Sequence, residues 1–152
     1  MSGEDGGEIW RRIRRAEASA GIHDATEDPI THGLLIRKES LDGILVGTKT
    51  WEIRGAATHR RGAIALIEKG SGNVVGTCVL ADVLGPLRVA DLALDPQAAL
   101  RRPPPLHYAA AYAWVLSEAR RLTEPIPYRH PEGAVVWVEL DLPICEQLQQ
   151  RC

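Results

Sequence analysis

Five short stretches of this chain have the length and composition of β-strands, and their brevity limits the fold more than any other feature does. They are residues 33–37, 49–54, 63–68, 74–83 and 134–142. Each is bounded by Gly, Pro or polar turn residues and lies within the roughly 3–10 residues that strands usually span. Strands this short must share a sheet to bury a face. With 152 residues the chain has room for one core, since domains commonly hold about 100–150 residues. Apolar residues make up 45% and charged residues 25%, close to the globular average, which excludes wholesale disorder.

Helical periodicity fills the remaining stretches. Residues 8–20 place Ile9, Ile13 and Ala16 at near-helical spacing. Residues 39–46 put Leu41, Ile44 and Leu45 on one face, with Gly47 as a stop. Residues 109–121 carry Tyr112, Val115, Leu116 and Ala119 on one face and read as the clearest helix, which Pro125 and Pro127 end in an extended exit. Lys69-Gly-Ser-Gly-Asn73 reads as a hairpin turn, and Gly76 as a bulge or a close backbone approach. Prolines punctuate residues 84–106, a long irregular connection with at most a short helix at 97–101. The expected fold is α+β: a small barrel or curled sheet of about five strands, helices after the first strand and before the last, and an appended N-terminal helix.

The formal charge is -2, from 18 Lys and Arg against 20 Asp and Glu, which excludes a protein that coats nucleic acid by bulk attraction. The charge is unevenly spread. Residues 33–62 hold six basic residues against three acids, and residues 101–130 hold five against two. Any polyanion site is therefore local. The first residues lack the basic start and apolar core of an export signal, and no apolar run approaches the roughly 18 residues that cross a bilayer. The expectation is a cytoplasmic protein with no membrane association. Cys78, Cys145 and Cys152 form no C-x-x-C pair and the five His are scattered, which predicts free thiols and implies no metal or cofactor. His107 and His130 read as surface or hydrogen-bonded structural residues.

The densest chemistry lies in Gly47-Thr-Lys49-Thr50-Trp51-Glu52-Ile-Arg54. This G-x-K-x-x-E-x-R pattern after a short helix resembles the signature of the ASCH domain family. The likeness extends to Leu34-Leu-Ile36, Arg61-Gly62, Gly76, Tyr112-Ala-Trp114-Val-Leu116 and Glu124-Pro-Ile-Pro127, and covers roughly residues 32–142. It implies a PUA-like fold, with residues 1–30 an N-terminal extension, 31–143 the ASCH domain and 144–152 a tail. Many members open the first helix with Pro-Trp, where this chain has Ser40-Leu41. Members acting on N4-acetylcytidine combine the motif lysine with a Thr three residues later and a distant Glu; Lys49 matches, and Glu52 stands in place of the Thr.

Lys49 falls where turn becomes strand, so its ammonium can reach the mouth of a cleft and hold a phosphate or carbonyl oxygen. Alternation along 49–54 puts Glu52 and Arg54 on one face and Trp51 and Ile53 on the other. The charged pair is either a binding site or a plain strand-face ion pair. Trp51 and Trp137 read as core, and Trp10 as a pin for the N-terminal helix. On a helix, Tyr112 and Trp114 cannot both face the core, so one lines the cleft. Ser40 is either a helix cap or a hydrogen-bonding group beside the cleft.

The resemblance implies recognition of RNA or of a nucleotide or nucleoside, modified or not, through Ser40, Lys49, Thr50, Glu52, Arg54, Tyr112 and Trp114. The alternative is a hydrolase, an amidohydrolase on acylated cytidine or a ribonuclease, in which Lys49 and Glu52 are catalytic. A Lys and a Glu that pair with each other favour binding over proton transfer. A protein-interaction adaptor built on the N-terminal helix and the Pro-rich connection is a third, weaker reading.

Overall fold

The computed structural model describes residues 29–87 and 111–150. The readings on residues 8–20 and 97–101, and on Trp10, His107 and Cys152, lie outside them. The described elements are strands β1 (His32–Ile36), β2 (Trp51–Arg54), β3 (Gly62–Glu68), β4 (Asn73–Leu87), β5 (Ala111–Pro127) and β6 (Trp137–Glu139), with helices α1 (Lys38–Leu45) and α2 (Leu142–Gln150). No helix among the described residues is long and apolar enough to cross a membrane.

The strands form one six-stranded sheet in the order β2-β5-β4-β3-β1-β6. Only β1 and β3 run parallel, with Leu34 opposite Leu66. The other pairings are antiparallel. A parallel pair needs a long crossover, and residues 37–61, carrying α1 and β2, supply it. The ladder is not closed among the described residues, which corrects the barrel expectation in favour of a curled sheet. The curl has a visible source: β4 and β5, 15 and 17 residues long, are interrupted by four register shifts, and each such irregularity bends and twists the strands that carry it. Glu118, at φ 51, sits at one of them.

Both faces of the central strands are buried. On β1 and β3, Leu34, Ile36, Ile64 and Leu66 join Leu41 and Ile44 of α1 in one cluster. The alternating residues Leu35, Ala65 and Ile67 join Ile144 and Leu148 of α2 in a second. A third cluster gathers Trp51, Leu84, Ala113 and Val115, so Trp51 is core as expected. Burying such branched aliphatics contributes roughly 1.5–3 kcal/mol each.

Three expectations are overturned. Residues 111–127 are a strand, not a helix: β5 is hydrogen-bonded to β2 on one side and β4 on the other. The final strand is only Trp137–Glu139, and α2 takes up most of what read as a tail, with Ile144 and Leu148 buried. Ser40 does not cap α1, because Arg37 occupies the N-cap position and makes no side-chain cap. Other signals hold. Gly47 adopts φ 85 just past the end of α1, a left-handed conformation that side chains with a Cβ resist. Gly76 lies both at a register shift and at a close approach, where a Cβ would come within 2.6 Å of the Arg120 carbonyl oxygen and 2.7 Å of Leu45 Cδ2. Residues 69–72 turn β3 back into β4, with the Ser71 amide donating to the Glu68 carbonyl at 3.0 Å.

Candidate functional site

The turn after α1 fixes the first side chain. The Gly43 carbonyl accepts from the amides of Thr48 and Lys49, both at 3.0 Å. This brings Lys49 back under the helix, where its ammonium donates to Ser40 Oγ at 2.9 Å and to Glu52 Oε1 at 3.1 Å. Glu52, only 7% exposed, accepts with its other oxygen from Arg54 Nη2 at 2.9 Å. Two cations thus flank one buried carboxylate. The Lys49 and Arg54 side chains are each 19% exposed, so the cluster has an outlet to solvent and carries a surplus positive charge. Among the described hydrogen bonds, Lys49 uses two of its three N–H donors, and Arg54 uses only Nη2. The remaining N–H groups can meet a ligand oxygen.

Arg54 also joins distant parts of the sheet. Its Nη2 donates to the Leu35 carbonyl at 2.8 Å, although β2 and β1 are separated by three strands in the ladder. The curl brings that edge strand over β1, and a side chain completes the approach. The guanidinium also lies over the Trp114 ring, 5.5 Å from its centroid.

Register places the aromatics. Glu52 is opposite Trp114 and Arg54 opposite Tyr112, and cross-strand partners share a face. Tyr112 and Trp114 therefore lie on the same face of β5, which replaces the helical expectation that they diverge. Tyr112 is half-buried. Trp114 is 2% exposed, its indole Nε1 donates to the Ala56 carbonyl at 3.0 Å, and its ring stacks on Trp137 at 5.8 Å between centroids. It forms the back wall that holds Arg54. Thr50 contributes its carbonyl, which accepts from the Leu116 amide at 2.7 Å. His130 is a structural residue, bonded to the Tyr128 hydroxyl at 2.8 Å and the Ala134 carbonyl at 3.0 Å.

One contact at this end of the sheet was missed by sequence reasoning. Trp137, read as core, packs against the first core cluster but is only half-buried, with Arg60 5.2 Å from its ring centroid. Arg60 comes from the loop between β2 and β3, and only its place in the basic block 33–62 pointed to it.

Fold and site together define a small α+β sheet domain with a cationic cluster under its first helix. A family model described as the ASCH domain matches residues 34–126, more than half of the chain, and the chain belongs to the ASCH domain family. No curated protein matches it significantly. Solved structures of an ASCH protein from Zymomonas mobilis share the fold. A serine-to-alanine mutant matches with a TM-score of 0.62 at 17% identity, over 81% of this chain and 96% of that one. A tyrosine-to-phenylalanine mutant matches with a TM-score of 0.59 at 16% identity, covering 78% and 96%. A third structure of that ASCH protein gives 0.57 at 16%, covering 80% and 94%.

Proposed function

We propose that this ASCH domain recognises a nucleotide, modified or not, within RNA, in the cleft lined by Ser40, Lys49, Thr50, Glu52, Arg54, Tyr112 and Trp114. In this reading the recognition unit is a PUA-like domain that begins near residue 31 and includes α2, with residues 1–30 an extension, and it acts in the cytoplasm. The observation that carries the proposal is the pairing of one buried carboxylate with two cations. Glu52 holds both cations in fixed positions without neutralising the pair, so the cluster retains charge and free N–H donors for a phosphate or base oxygen. Recognition of an unpaired nucleotide needs this combination of donors and aromatic surface.

The test is binding of short single-stranded RNA followed by fluorescence anisotropy. Lys49→Ala and Arg54→Ala should each weaken binding by about tenfold or more, since charge-assisted hydrogen bonds are the strong ones. Unchanged affinity in both variants, or no salt-sensitive binding by the wild type, would sink the reading.

One observation favours a hydrolase as the second reading: Ser40, Lys49 and Glu52 form a continuous hydrogen-bonded row at 2.9 and 3.1 Å. In such a site Lys49 polarises an amide or a phosphodiester and Glu52 moves the proton. Both Glu52 oxygens already face cations, so proton transfer to it has to break an ion pair, and binding is the better-supported function. A panel of acylated nucleosides and short RNAs separates the two, because a hydrolase must lose turnover in Lys49→Ala.

A further inference from the structure

Beside the cleft, four side chains lie in one contiguous series. Arg54 lies over Trp114, Trp114 stacks on Trp137 with 16° between the ring planes, and Arg60 lies over Trp137. Trp114 and Arg60 both cover Trp137, at 5.8 and 5.2 Å from its ring centroid. The Arg60 cover is loosely held. Arg60 is exposed, and among the described residues no carboxylate pairs with it. An exposed cation–π contact changes an equilibrium by only about 2- to 5-fold. Base stacking on an aromatic ring is worth about 5- to 150-fold.

We propose that the face of Trp137 under Arg60 is a second subsite, a platform on which a neighbouring nucleobase of the bound RNA stacks after displacing Arg60. The inference rests on the RNA-binding reading and extends it to Trp137, outside the span of the family match. The charge around the ring selects the ligand class. Around the ring, Lys49, Arg54, Arg60 and Arg61 stand against Glu52, Asp82 and Glu139, a balance of one positive charge that favours a base attached to a phosphate over a cationic ligand. The displaced Arg60 guanidinium is then free to take that phosphate through a planar fork. The cross-strand pair His32–Glu139 lies two residues along from Leu34–Trp137 and so shares its sheet face, which offers hydrogen-bonding groups there for a base edge.

The experiment compares two fluorescein-labelled single-stranded oligomers, one carrying bases and one with the same backbone made abasic, against the full chain. Trp137→Leu should weaken binding of the base-bearing oligomer by about 5- to 150-fold and leave the abasic one unchanged. Trp137→Tyr should restore most of the affinity, and circular dichroism melts check that both variants fold. Lys49→Ala should weaken both oligomers alike, so the cleft and the platform fail separately. Wild-type affinity in Trp137→Leu, or equal losses on the two oligomers, overturns the platform. If the losses are equal in a folded Trp137→Tyr protein as well, the ring is only a structural prop.

Discussion

Glu52 is the residue on which the cluster turns. With only 7% of its surface exposed, it is the sole described carboxylate between Lys49 and Arg54. Glu52→Gln leaves two cations facing each other across a neutral amide. We expect it to cost about 2 kcal/mol, less than the roughly 3–5 kcal/mol of a fully buried broken pair, because both partners keep some solvent. Lys49→Ala should cost less, about 1 kcal/mol or below, since Glu52 retains Arg54. Urea denaturation midpoints will rank the two, and the opposite order would mean that Lys49, not Glu52, organises the site. His32 sets a second expectation. Burial first, and then the Arg60 charge, hold its pKa below the ordinary 6.5. The neutral form is favoured in the fold, so the unfolded chain binds more protons just below that value. Stability is complete above about pH 6.5 and falls as pH drops through the folded value. His32→Gln should flatten that part of a denaturation-against-pH curve.

At the scale of elements, β5 shows where sequence reading succeeds and fails. Tyr112, Val115, Leu116 and Ala119 fall at helical spacing by coincidence of a strand buried on both faces. Ala111, Ala113, Trp114, Val115 and Leu116 are all buried, so no polar residue marks the alternation, and periodicity cannot tell such a run from a helix. β2 was legible because its faces differ: Trp51 enters the core, and Glu52 and Arg54 pair on the other face. The same contrast makes the Glu52 and Arg54 pair readable from strand alternation, whereas Lys49 precedes the strand and reaches Glu52 through the turn built on the Gly43 carbonyl. The Arg60 and Trp137 contact was not readable, because it joins a loop to a three-residue strand far along the chain. Gly76 supplies a prediction here. A Cβ at that position meets the Arg120 carbonyl oxygen at 2.6 Å, a backbone atom that cannot step aside. Gly76→Ala should therefore cost about 2 kcal/mol, in the range of overpacked cores. Gly47→Ala, strained only by its φ of 85, should cost about 1 kcal/mol. Thermal melts of the pair would show whether the crowded strand or the helix stop matters more.

For the whole molecule, the net charge of -2 and the small cationic cluster predict a particular salt response if the proposed RNA binding holds. With Lys49 and Arg54 as the principal phosphate contacts, log affinity for single-stranded RNA should fall with log salt at a slope of roughly -1 to -2, shallow beside that of proteins that coat nucleic acid. A titration series over salt measures it, and a slope several times steeper would place the contacts elsewhere.

The bond from Arg54 to the Leu35 carbonyl bears on how the sheet is held together. A backbone ladder is sealed along its length by many similar bonds, whereas here β2 meets β1 through the head of one side chain that also belongs to the cleft. On the proposed reading ligand and scaffold share one guanidinium: Nη2 stays with Glu52 and the Leu35 carbonyl while the remaining N–H groups meet the ligand, so a ligand oxygen that leaves Nη2 in place keeps β2 clasped to β1.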